Sequence, residues 1–473
     1  MVEMKEQSQF INEVSGQIDI ALNKDQRSAL AEIYNFLFTG GGQSVFILKG
    51  YAGTGKTTLM GALIRWLHSV NRKTVLMAPT GRSAKVLSAH SGFPASTIHR
   101  RIYAVKQDDF GRMKMDLVLN KSEKTIFIVD EASMIGDGSA DTNGAGRSLM
   151  ADLLEYVYSG ERCRLILIGD NAQLPPVGME DSPALDQEKV KNALGGAVYQ
   201  SELTSVVRQD KDSLILSNAT RIRDQIRTGQ FADLKIGIDR YLDVREIPMD
   251  ELEDELMRCF DRHDTNQSII VTRSNKDAYQ FNMQIRNRIF DREAELESGD
   301  RIMIVKNNYF WKIPGRRQNF LANGDMVIIE LVKDRSEFGP FRFADCVVRL
   351  ADEETEPFHL IMLLNSIDFQ GPSIPGKELF SIREEMIRSG ALDSTEAQER
   401  FFQNPYFNAV QIKYAYAVTC HKSQGGQWQN VFVYQGYLTE EMLNLGYYRW
   451  LYTAMTRATD RLNLVGFHEQ FIG

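Results

Sequence analysis

Cysteine is scarce and scattered in this chain: Cys163, Cys259, Cys346 and Cys420 lie far apart, with no C-x-x-C pair among them. That spacing excludes a local zinc or dithiol motif and suits a reducing compartment. No apolar run approaches the roughly 20 residues of a membrane span, so no membrane partner is expected. The start, Met1–Gln9, is polar and charged and does not read as a secretory leader. Excess positive charge is also missing. A net charge of −8 argues against a wholly basic nucleic-acid coat but leaves room for a local basic channel. There is no internal repeat and no low-complexity tract. At 473 residues, 43% apolar and 25% charged, the composition is that of an ordinary globular chain of two to four domains. A soluble, cytoplasmic enzyme is the expectation.

Against these absences stands one dense stretch. Val45–Leu48 reads as a buried strand, Gly50–Thr57 fits G-x-x-x-x-G-K-[ST], and a helix is expected from Thr58 to His68. Strand, glycine-rich turn and helix together form a phosphate cradle, because glycines let backbone N–H groups converge where the helix dipole is positive. Gly53, Thr54, Gly55, Lys56, Thr57 and Thr58 are therefore candidate nucleotide ligands. Lys56 can reach the outer phosphates and Thr57 can ligate Mg2+.

Further strands are expected at Thr74–Ala78, Thr125–Val129 and Arg164–Ile168, alternating with helices at Ser83–His90 and Leu149–Tyr158. Such alternation predicts an α/β fold with a parallel sheet whose functional residues gather at the strands' carboxyl ends. Asn23 reads as a helix cap, and residues 1–21 as a loosely docked tail. Ile102–Val118 alternates around Asp108–Gly111, a hairpin signal, whereas Gly136–Gly146 reads as a surface loop. A second alternating block begins near Leu203, with a helix at Ser213–Thr228, a strand at Ser268–Thr272 and a helix from Asn275 to about Phe290. From about Ala294 the pattern turns to short strands with an Asn323-Gly324-Asp325 turn, then a charged helix at Arg383–Phe402. Buried-strand character returns at Asn430–Tyr434 and Leu462–Val465.

The strand Ile126–Val129 ends in Asp130 and Glu131, which would hold magnesium and orient the attacking water. Phosphoryl transfer also needs a cation against the developing charge, and Arg208 and Arg457 are the candidates; for each the alternative is a structural ion pair. Gln26 can bond adenine N6 and N7, which would select ATP, or it is simply solvated.

These stretches in order resemble the motifs of the superfamily 1 helicases of the 5′-to-3′ class, the RecD-like and phage Dda-like group. Leu22–Gln26 resembles the Q motif, Gly50–Thr57 motif I, Ala78–Ala84 motif Ia and Ser96–His99 motif Ib. Asp130–Met134 resembles motif II, Gly169–Val177 motif III, Leu203–Gln209 motif IV, Ala415–Gly425 motif V and Tyr452–Ala458 motif VI. The matches run from about residue 22 to 465.

The resemblance implies two RecA-like parallel-sheet P-loop cores with ATP between them. It also implies a small β-hairpin insertion in the first core and an SH3-like β-rich insertion in the second. The division expected is a tail at 1–21, a first core at 22–200 with its hairpin at 102–120, and a second core at 201–293 and 409–473 interrupted by the insertion at 294–408. Gln173 would sense the γ-phosphate, and Gly425 would join the nucleotide ligands. Thr80, Thr97, His99, Thr419, His421 and Lys422 would touch single-stranded DNA, their residue types suiting phosphate contacts; for each the alternative is a helix cap or a core hydrogen bond. The hairpin takes the place of a pin that splits duplex at a single/double-strand junction, with Phe110 at its tip, or else Phe110 packs on its own domain. Tyr309, Phe310, Trp311 and Lys312, with Arg316 and Arg317, mix aromatics and cations as single-strand binders do. The segment before Leu22 is too short for RecD's N-terminal domain, which points to a compact, Dda-like protein. The implied activity is ATP-dependent DNA unwinding, with partners among replication, recombination or repair proteins. The alternatives are a translocase that does not separate strands and a nucleotide-gated nucleic-acid-binding subunit.

Overall fold

The computed structural model describes residues 2–18, 21–107, 113–137, 148–207, 213–231, 234–239, 241–260, 267–315, 320–351, 355–391 and 401–473. In the first core the strands are β1 (Ser44–Gly50), β2 (Thr74–Ala78), β3 (Ala95–Thr97), β4 (Tyr103–Gln107), β5 (Met113–Leu117), β6 (Ile126–Val129), β7 (Arg164–Gly169) and β8 (Ala197–Leu203). Six of them form a parallel sheet in the order β3-β2-β6-β7-β1-β8. The remaining two, β4 and β5, pair antiparallel as the expected hairpin. Its tip, with Phe110, lies outside the described residues, as does most of the Gly136–Gly146 loop.

Alternation along β1 explains why this sheet is covered on both faces. Phe46 and Leu48 join one buried cluster, while Val45 and Ile47 join another on the opposite side. A strand apolar at every position can be stable only between two layers.

The second core repeats the plan. Strands β9 (Val244–Ile247) and β10 (Ser268–Thr272) come before the insertion. The insertion carries β11 (Arg301–Ile304), β12 (Met326–Phe338), β13 (Phe341–Leu350), β14 (Phe358–Leu363) and β15 (Val410–Tyr414), which close into a barrel. The chain then returns as β16 (Ala417–Thr419), β17 (Trp428–Tyr434) and β18 (Ala458–Val465). The core sheet, all parallel, runs β16-β10-β17-β18-β9. The fold is thus α/β, with two parallel-sheet cores of RecA type, a hairpin in the first and a barrel in the second. Among the described residues no helix is long and apolar enough to cross a membrane.

Four expectations need correction. The expected tail at 1–21 is docked over its described part: Val2–Ser15 is a helix whose Phe10 and Val14 are buried beside Tyr34 and Trp66. Two anchors four residues apart suffice to dock it, each contributing about 1.5–3 kcal/mol, yet they are too sparse to show as a stripe. The first core ends at Leu203 rather than residue 200, because β8 pairs with β1 along its length. As an edge strand with exposed alternate residues it carries no continuous apolar run. The barrel closes on β15, so the insertion extends past residue 408 to Tyr414. The charged helix runs Gly376–Arg388, earlier than expected, and 392–400 lie outside the described residues.

The candidate active site between the two cores

The carboxyl ends of β1, β6 and β7 open onto a cleft of about 370 Å³ between the cores. After β1 the chain turns through Gly53 (φ 76°) and Gly55 (φ 80°) into the helix Lys56–Ser69. Both glycines adopt the left-handed backbone that side chains disfavour. A Cβ on Gly55 would also come within 2.7 Å of Gln26 Nε2. The Lys56 ammonium donates to the carbonyls of Gly50 (2.6 Å) and Tyr51 (2.8 Å) and lies 4.0 Å from Asp170 Oδ2. It therefore rests on two backbone oxygens that phosphate oxygens can replace, with the Asp170 carboxylate beside it.

Gly53, Gly55, Lys56, Thr57 and Thr58 line the cleft with Asp130, Glu131, Gln173 and Arg457. Thr54 does not: it is fully buried, and its hydroxyl closes the loop onto the Tyr51 carbonyl at 2.8 Å. Gln26 lines the cleft but also works as a cap. Its Oε1 accepts from Asn23 N–H (3.1 Å) and its Nε2 donates to the Thr54 carbonyl (3.2 Å), leaving one hydrogen and one lone pair for a base.

Asp130 and Glu131 are both pushed up by burial, against which Lys56 pulls each down and Arg457 pulls Glu131 down most. Glu131 has a left-handed backbone (φ 54°), and its N–H donates to Asp130 Oδ1 at 2.9 Å. Strain of this kind in a residue with a Cβ is held in place by its surroundings and is typical of functional sites. Arg457, 4% exposed, donates to the carbonyls of Thr453 (3.0 Å) and Gly426 (3.3 Å) and to Thr456 Oγ1 (3.2 Å). Those hydrogen-bond partners are neutral, and among the described residues no ion pair holds the guanidinium, whose charge bears on Glu131. Gln173 Oε1 is buried without a hydrogen-bond partner among the described residues. Arg208 lies outside the described residues.

Residues that the motif reading passed over join the two halves. Tyr452 O–H donates to Asp170 Oδ2 (2.8 Å) and accepts from the Ala52 N–H of the phosphate loop (2.7 Å). Leu174, next to Gln173, donates its N–H to Thr453 Oγ1 (2.8 Å) and accepts from Gln424 Nε2 (2.7 Å). Tyr452 stands first in the motif VI stretch, but in sequence a tyrosine on an apolar helix reads as core.

The strand-facing candidates gather at a different edge of the junction. Thr80 and Thr97 are caps, accepting from Ser83 N–H (3.1 Å) and Arg100 N–H (3.2 Å). Thr97 is 1% exposed, so its side chain is not presented to a strand. Thr419 begins a helical turn without a side-chain cap bond and is half-buried. The His421 ring is held below its ordinary value by burial and by Lys422. Lys422 donates to Asn323 Oδ1 of the barrel. His99 sits 5.7 Å from the Tyr103 ring, and its neighbour Arg100 pairs with the barrel's Asp325 at 3.1 Å. Gly425 is not in the nucleotide cleft; it packs against Ser83 and Thr80 of the first core so closely that a Cβ would collide. Of the aromatic–cation run, Trp311 is structural, with Nε1 donating to the Asn408 carbonyl at 2.9 Å, and Arg316 and Arg317 lie outside the described residues.

Comparison with known proteins matches the chain in two parts. Residues 21–242 match an AAA domain, and residues 414–465 match a UvrD-like helicase C-terminal domain. The ATP-dependent RecD2 DNA helicase of Deinococcus radiodurans is 25% identical over 466 residues, covering 96% of this chain but 51% of that protein. The ATP-dependent DNA helicase Dda of Enterobacteria phage T4 is 27% identical over 426 residues, covering 82% of this chain and 87% of Dda. The chain thus spans about half the length of its Deinococcus relative. A crystal structure of Bacteroides Pif1 bound to ssDNA aligns over 96% of this chain and 95% of that one, at 18% identity and a TM-score of 0.48. The AAA-domain match thus lies mainly on the first core and the UvrD-like helicase match on the second, and the RecD2 and Dda helicases align along most of the chain.

Proposed function

We propose that this protein hydrolyses ATP with Mg2+, moves 5′ to 3′ along single-stranded DNA and separates the duplex it meets. The observation that carries the reading is the convergence of Lys56, Thr57, Asp130, Glu131 and Gln173 from one core with Arg457 from the other on a single cleft. Binding alone does not need a buried acid pair facing an arginine with neutral partners; phosphoryl transfer does.

The donor set suits magnesium. Thr57 and Asp130 offer hard oxygen ligands, few in number, as this ion uses when phosphates complete its shell. When bound with the nucleotide, it supplies charge neutralisation on the phosphate oxygens. The rest is done by side chains of this chain. Lys56 exchanges the Gly50 and Tyr51 carbonyls for phosphate oxygens. Glu131, whose burial raises its proton affinity, accepts the proton of the attacking water. Arg457 stabilises the charge that develops on the transferred group, with Arg208 as the second candidate. Gln173 links the phosphate to the second core through Leu174 and its bonds to Thr453 and Gln424. DNA as the track is supported by the names of the RecD2 and Dda relatives, and the direction by the motif resemblance.

Unwinding of 5′-tailed and 3′-tailed duplexes, measured in parallel, tests this. Strand separation only from the 5′ tail is expected. Separation only from the 3′ tail would overturn the direction, and none from either tail would reduce the protein to a translocase.

A further inference from the structure

The barrel carries a second cavity, of about 300 Å³, away from the nucleotide cleft. Tyr309, Phe310, Phe380, Phe402, Phe407 and Lys306 line it. Its rings are close enough to act together: Phe407 lies 5.7 Å from Phe380 and 5.5 Å from Phe402. Phe380, on the helix Gly376–Arg388, is 50% exposed, which is unusual for an aromatic with packing partners at hand. Lys306 is half-buried, and no carboxylate lines the cavity among the described residues. Burial holds its ammonium below the ordinary lysine value.

A chain of hydrogen bonds links the cavity wall to the edge proposed for the strand. Lys422 donates to Asn323, the Asn323 N–H donates to Asn307 Oδ1 at 2.7 Å, and Asn307 precedes the aromatic run on the cavity wall. On the other side Tyr309 packs at 5.0 Å on Phe320, over which Arg100 lies at 5.7 Å. Aromatic faces beside a cation, with no carboxylate on the cavity wall among the described residues, are what single-stranded nucleic acid requires: rings for bases, an ammonium for phosphate. The surrounding amides are already engaged. Asn308 bonds Phe310 N–H (3.1 Å) and the Asn408 carbonyl (2.8 Å), and Gln411 bonds both backbone groups of Ile374. Stacking and charge remain, with little capacity to read base edges.

We propose that this aromatic cavity is a nucleobase-stacking subsite, which takes an unpaired base of the strand against Phe310, Phe380 and Phe407 and a phosphate at Lys306. The inference rests on the strand-binding reading above and adds a contact beyond the two cores. It is sequence-tolerant, and it lengthens the footprint on the strand.

The test compares the affinities of the whole protein for thymidine oligonucleotides of about 8 and about 16 nucleotides, within the span of known single-strand sites. Wild-type protein gains affinity on lengthening. Phe380→Ala is expected to remove about tenfold of that gain, and Lys306→Gln to lower the salt slope for the long strand by about one. Iodouracil placed along the strand is expected to crosslink to one of the cavity's phenylalanines. Unchanged gain in both variants, with crosslinks confined to the cores, overturns the subsite while leaving strand binding intact, and assigns the cavity to an apolar protein segment instead. Failure of the wild-type protein to bind either strand overturns both readings.

Discussion

In the nucleotide cleft Arg457 and Gln173 lack a side-chain carboxylate or amide bonded to them among the described residues, whereas along the edge proposed for the strand oxygen atoms of the barrel already hold the cations. Arg457 rests on carbonyls and a hydroxyl, and Gln173 Oε1 has no partner among the described residues. By contrast Arg100 is paired with Asp325, and Lys422 with Asn323. A Cβ on Gly81 would come within 2.7 Å of Asp325 Oδ1, so that carboxylate also faces the amino end of the helix Gly81–Ser91. The difference separates two kinds of readiness. The cleft keeps its electrostatic capacity for a ligand that brings charge, while the strand edge must exchange one set of oxygens for another.

Removing Arg457 should break the cleft most completely. Arg457→Ala is expected to lower kcat for ATP hydrolysis by about a thousandfold, measured as phosphate release, while a fluorescent nucleotide still binds. Loss of binding along with turnover would mean that the arginine builds the cleft rather than serving its chemistry.

Tyr452→Phe removes one hydroxyl that satisfies Asp170 and Ala52 N–H together. The expected cost is about 1–3 kcal/mol, seen as a lower Tm and a weaker response of ATP hydrolysis to added strand. An unaltered response would limit Tyr452 to packing.

Asp325→Ala sharpens the contrast at the other edge. Freed of a carboxylate, Arg100 should take a phosphate, raising strand affinity at low salt and steepening the salt slope by about one. Filter binding across a salt series checks this, and an unchanged slope would show that the strand does not reach Arg100.

The smallest effect concerns Asp25, whose carboxylate accepts from both backbone and hydroxyl of Thr204 and Ser205 at 2.9–3.0 Å. Those bonds, Thr204's first, hold it down at about 2 against an ordinary 3.8. Because the folded value is depressed, this support is fully present above about 3.8 and is lost as pH falls through about 2. Asp25→Asn should therefore lower stability slightly at neutral pH and flatten the acid limb in that window, as acid titration followed by circular dichroism would report.

The two regions were unequally legible in the sequence. Cleft residues follow from local chemistry: a glycine turn before Lys56, and acids ending an apolar strand. In the structure these line one cleft with Gln26, Gln173 and Arg457. Thr54, Thr97 and Gly425 turn away from the cleft and the strand edge for one shared reason. A motif names a residue without saying which of its atoms faces outward, and here a loop hydroxyl, a cap and a tight inter-core contact claimed them. Tyr452 and Leu174 escaped notice because coupling between cores depends on pairs hundreds of residues apart in sequence. The parallel sheets were readable from their buried runs, but the edge strands β8 and β9 and the closing barrel strand β15 were not. Those strands are short or half-exposed, or paired with partners far along the chain.

The central claim is that the cleft drives movement on a strand, and strand-stimulated ATP hydrolysis by wild-type protein and Lys56→Ala tests it most directly. Wild-type hydrolysis should rise on adding single-stranded DNA, and Lys56→Ala should fall by at least about a hundredfold in its presence. Strand-stimulated hydrolysis that survives in Lys56→Ala, or wild-type hydrolysis indifferent to the strand, would contradict it.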